Sequence, residues 1–98
     1  MSQHIFATTN AQGDSVTVTM GYDRPLDFVF CTVMTRENDV IYSNLDDDDA
    51  GTHQQDVDYY RPVLEALGLH VPESVFHEVS EDQIGRVGNR VVTHSSVN

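Results

Sequence analysis

A chain of 98 residues with sixteen acidic side chains, five arginines and no lysine carries a formal charge of −11, which repels phosphate backbones and anionic lipid and so argues against direct nucleic-acid or membrane-surface binding. One small domain spanning 1–98 suits this length, and the single cysteine, Cys31, rules out an internal disulfide. With no basic leader followed by an apolar core, and no run of about 18 apolar residues, the expectation is a soluble, cytoplasmic protein.

Fourteen valines and eight threonines against five leucines favour strands over long helices. Residues 1–14 are polar and close on Gly13 and Asp14, so they are expected to form a loosely ordered N-terminal arm with at most a short strand around 4–7. "SVTVTM" alternates Val16, Val18 and Met20 with threonines, the period-2 pattern of a half-buried strand. Turn residues Gly21, Asp23 and Pro25 precede "LDFVFCTVMT", whose two apolar faces predict a central strand covered on both sides, with Cys31 as a small buried hydrophobe. After the polar loop 36–40, "VIYSNL" reads as a third strand, completing an antiparallel meander.

Val57, Tyr60, Leu64 and Leu67 then recur at helical spacing up to Gly68, a C-terminal stop. Thr52 and Gln55 have the spacing of a capping box; Pro62 requires either a later start, at Asp58, or a kink. Pro72 opens a second helix with Val71, Val75 and Val79 on one stripe, expected to end near Ser80, where Ser80 and Gln83 again have capping-box spacing. "RVVTHSSV" supplies a last strand. The fold class is therefore α+β: an antiparallel sheet, made of a three-stranded meander plus a C-terminal strand, with two short helices inserted between strands three and four.

Four consecutive aspartates, Asp46 to Asp49, are the most conspicuous local feature. Numbered from Asp46, an EF-hand loop would need oxygen at position 5 and glutamate at position 12, and the chain has Ala50 and Val57 there, so the run reads as a solvated acidic loop before a docking surface or an ion cage. "HEVSE" departs from the zinc protease motif H-E-x-x-H by Glu81 in place of the second histidine, and the expected helix end falls between His77 and Glu81. "IGRVGNRV", residues 84–91, resembles the I-G-x-x-G-x-x-I signature of KH domains, but a strand-like tail follows where that family continues with a helix, and the net charge opposes nucleic acid. Arg86 and Arg90 are left to pair with acidic side chains. The five histidines are scattered, and no short catalytic motif, metal-ligand set or cofactor loop is present.

Tyr59 and Tyr60 are adjacent on a helix and cannot both point into the core. One at the margin, beside Asp56, Asp58 and the aspartate run, would make an amphipathic anchor. The resulting expectation is a small non-catalytic module that binds another protein's basic surface through Asp46, Asp47, Asp48, Asp49, Asp56, Asp58, Tyr59 and Tyr60, with nucleic-acid mimicry as a sharper form. A divalent-cation-responsive protein and a salt-adapted domain whose charge carries no partner information are the alternatives. Covering the second face of the central strand calls for the N-terminal arm or a second copy in a homodimer.

Overall fold

The computed structural model describes residues 1–25, 27–47 and 56–94. In chain order it contains strands β1 (Ser2–Thr9), β2 (Ser15–Asp23), β3 (Phe28–Thr35) and β4 (Val40–Ser43), a 3-10 turn (Asn44–Asp46), helices α1 (Val57–Ala66) and α2 (Glu73–Ile84), and strand β5 (Arg90–His94). The α+β class is as expected, but the sheet is mixed and has five strands in the order β4-β3-β2-β1-β5. β1 runs antiparallel to β2 and parallel to β5.

Two expectations are corrected here. The N-terminal stretch, read as an arm, is a strand lying between β2 and β5. Its alternation is disguised because Ser2 and His4 occupy inward positions with Phe6, and all three are buried. The last strand is not an antiparallel addition to a meander: it joins β1 in parallel, pairing Ser2 with Arg90, His4 with Val92 and Phe6 with His94. Parallel neighbours need a long crossover connection. The intervening helices provide it.

Both helices pack on one face of the sheet. Inward residues Val16, Val18, Met20, Val29, Cys31 and Val33 meet Val57, Tyr60 and Leu64 of α1 and Val75, Phe76 and Val79 of α2. A buried side chain of this size contributes about 1.5–3 kcal/mol, so this layer holds the fold together.

At the start of α1, the Asp56 carboxylate accepts the Asp58 N–H at 3.0 Å, so the cap is Asp56 and Pro62 stands inside the helix. The helix stops as expected at Gly68 (φ 74°), with Gly68 N–H on the Glu65 carbonyl at 2.9 Å and Leu69 N–H on that of Leu64 at 3.0 Å. The proposed Thr52–Gln55 capping box lies outside the described residues. α2 is longer than expected, continuing past Ser80 to Ile84, because Asp82 extends the buried stripe of Val75, Phe76 and Val79 by another turn. Arg61 ties the helices together: it grips both Glu73 carboxylate oxygens at 2.6 Å and lies 4.4 Å above the Phe76 ring.

Candidate functional site

Three elements bring polar side chains to one point beneath α2. β1 contributes Ser2 and His4, α2 contributes Glu78 and Asp82 from one helix face, and β5 contributes Arg90 and His94. Ser2, His4 and Asp82 are almost completely buried. Both Asp82 oxygens are engaged, Oδ2 with His4 Nε2 at 2.6 Å and Oδ1 with Arg90 Nη1 at 2.8 Å. The Ser2 hydroxyl accepts the Tyr22 N–H at 3.0 Å and also bonds Asp82. His4 Nδ1 faces His94 Nε2 at 2.9 Å; on the far side of that ring, His94 Nδ1 lies 3.6 Å from Glu78 Oε2. Arg90 Nη2 reaches Glu78 Oε1 at 3.3 Å.

The protonation pattern follows from these partners. Burial works against a charged Asp82, yet the bonds from His4 and Ser2, together with Arg90, outweigh it and hold the carboxyl below its ordinary value. Asp82 is thus an ionised acceptor, and His4 Nε2 carries the proton donated to it. In the neutral ring Nδ1 is then an acceptor, facing His94 Nε2–H. Burial pushes His94 below the usual histidine value, with help from His4 and Arg90 and against the pull of Glu78, so it is a neutral imidazole at neutral pH. A hydrogen-bonded chain therefore runs from buried Asp82 through His4 to His94, and half-buried Glu78 lies 3.6 Å beyond it.

His4, His94 and Glu78 each offer a ligand atom, and these atoms lie within 4.8 Å of one another. Sequence reasoning missed this cluster because His4 and Asp82 are 78 residues apart, and His4 and His94 are 90 apart. One signal was present: a carboxylate on the apolar stripe of α2, where an unpaired charge would be costly. His77 and Glu81, weighed earlier as chelators, do share a continuous helix, contrary to the expected break; they stand 3.7 Å apart and are 69% and 62% exposed.

The residues expected to bind a partner are distributed differently. Tyr60 is fully buried, and its hydroxyl donates to the Val29 carbonyl at 2.8 Å. Tyr59, at the core margin, donates to Asp47 Oδ2 at 2.7 Å, an oxygen that also accepts from Tyr42 at 2.7 Å. Asp56 caps α1, exposed Asp58 pairs with Arg61 at 2.8 Å, and Asp46 is exposed; Asp48 and Asp49 lie outside the described residues. Arg86, like Arg90, has an acidic partner, Asp27, at 3.3 Å. In the KH-like stretch Gly85 caps α2 and Arg86 follows at φ 50°.

On the opposite face of the sheet, alternation places Ile5, Thr19, Phe30, Thr32, Met34 and Val91, none of them charged, with buried Asp23 at the end of β2 the charged exception. Most are half-buried, and Val91 is 67% exposed. No described element covers this face. Among the described residues, no helix is long and apolar enough to cross a membrane. Comparison with known protein families, curated proteins and solved structures gives no match to this chain.

Proposed function

We propose that the protein is a non-catalytic protein-binding module that pairs with a second copy through the open face of its sheet and turns its acidic helical layer toward a basic partner surface. The observation carrying this reading is the difference in charge between the two sides. Asp56, Asp58, Glu65, Glu73 and Glu81 are exposed on the helical side, whereas Ile5, Thr19, Phe30, Thr32, Met34 and Val91 make an uncharged surface on the other. Two chains of −11 repel one another. Contact through the uncharged face keeps their carboxylates apart. Five strands at about 4.8 Å spacing, from four to nine residues long and averaging about 22 Å, give a face of about 500 Å² and hence about 1,000 Å² for two copies, the size at which a specific interface becomes sustainable.

Sedimentation at micromolar concentration tests the pairing. The unmodified chain should run as a dimer, and Thr32→Glu, which sets like charges against each other at the centre of the face, as a folded monomer. An unmodified chain that is monomeric at 100 µM overturns the pairing. For the acidic side, replacing Asp46 to Asp49 with asparagine should weaken capture of a basic partner and flatten its salt dependence; unchanged binding would count against that side.

A further inference from the structure

We infer that His4, His94 and Glu78 form a binding site for a divalent transition-metal ion of the zinc type. Two imidazole nitrogens and a carboxylate oxygen are the ligand set borderline ions such as zinc take, often with a fourth position open to water. Calcium and magnesium instead seek cages of oxygen. The three ligand atoms already lie within 4.8 Å of one another, contributed by a strand, a helix and a second strand.

The surroundings of the ligands match what a metal needs. His4 Nε2 is anchored on buried Asp82 at 2.6 Å, so its free nitrogen, Nδ1, is the one turned toward the cluster. A carboxylate behind a ligating histidine fixes its tautomer and raises its basicity. Two ligands at the tetrahedral angle on an ion with bonds of about 2.0–2.1 Å stand about 3.4 Å apart, so His4 Nδ1 and His94 Nε2, now 2.9 Å apart, need to separate only by about half an ångström to admit it. Without the ion, a proton occupies that space. Moving it to His94 Nδ1 frees Nε2 for the ion. Glu78 and Asp82 then carry two negative charges against the one positive charge of Arg90, a balance that favours a cation. His94 and Glu78 are 11% and 35% exposed, so the ion has a path from solvent.

The test uses the full chain stripped with chelator and titrated with zinc, followed by calorimetry and thermal melting, with cobalt as a spectroscopic probe of ligand type. Expected are one ion per chain, a rise in melting temperature, and a cobalt spectrum showing nitrogen ligation. Glu78→Gln, a change at a half-exposed position that leaves the buried pair intact, should weaken binding at least tenfold. His94→Ala should abolish the cobalt signal. His77→Ala, on the exposed face of α2, should change neither. Absence of stabilisation and of a cobalt spectrum overturns the inference, and so does binding that survives both site variants or is lost in His77→Ala. The ligands lie on the helical side of the sheet, so these outcomes do not depend on whether two copies pair.

Discussion

Cys31 is fully buried, and burial pushes its thiol from an ordinary value of 9.0 up to about 12. Between those values the unfolded chain gives up a proton that the folded chain keeps, so stability present below pH 9 is lost as pH rises through this window. Burial raises the hydroxyls of Tyr42 and Tyr60 in the same sense, adding to the alkaline loss. Thermal melts from pH 8 to 11 should show a falling midpoint, less steep in Cys31→Val, and thiol reagents at pH 8 should label Cys31 only as fast as the protein opens. The buried polar residues differ in weight. Tyr60→Phe removes one neutral hydrogen bond to the Val29 carbonyl and should cost about 1 kcal/mol. Asp82→Ala strips the partners of both His4 and Arg90, and urea unfolding should show a loss of about 3 kcal/mol or more.

Among the elements, Gly21 fixes how β1 enters the sheet. A Cβ there would stand 1.9 Å from the Ser2 carbonyl oxygen and 2.9 Å from the Phe30 ring, one neighbour being backbone that cannot swing aside. Gly21→Ala should therefore destabilise by about 2 kcal/mol or more and, by displacing Ser2 from Asp82, loosen the histidine pair as well. Pro62 points the other way. Within α1 it withholds a helical N–H, so Pro62→Ala should stabilise the protein by about 1 kcal/mol or more, read as a higher urea midpoint. Elements whose inward positions are apolar were legible in the sequence: Val16, Val18 and Met20 marked β2, and Tyr60, Leu64 and Gly68 marked α1 and its stop. β1 was not, since Ser2 and His4 point inward and their burial makes sense only with Asp82 in place. The same dependence hid the site. No local pattern announces a contact between residues at opposite ends of a chain, and the aspartate run drew attention because it is contiguous.

For the whole molecule, a charge of −11 on 98 residues makes the folded state repel itself, an effect that salt screens. The urea midpoint should rise between 20 mM and 1 M sodium chloride, and the rise should be smaller when exposed acids such as Glu65 and Glu81 are replaced by glutamine. The order of the strands has a consequence for synthesis. β1 leaves the ribosome well before its parallel partner β5, which begins only at Arg90, so until then one edge of β1 is unpaired, and before Asp82 emerges its buried histidine has no acid to meet. Nascent chains halted before Asp82 would lack the whole constellation, and pairing across such a span makes for slow folding. His4 therefore marks the arrival of the crossover partner: its environment, followed by the ring-proton resonances of a labelled histidine, reports whether the ribosome has delivered β5.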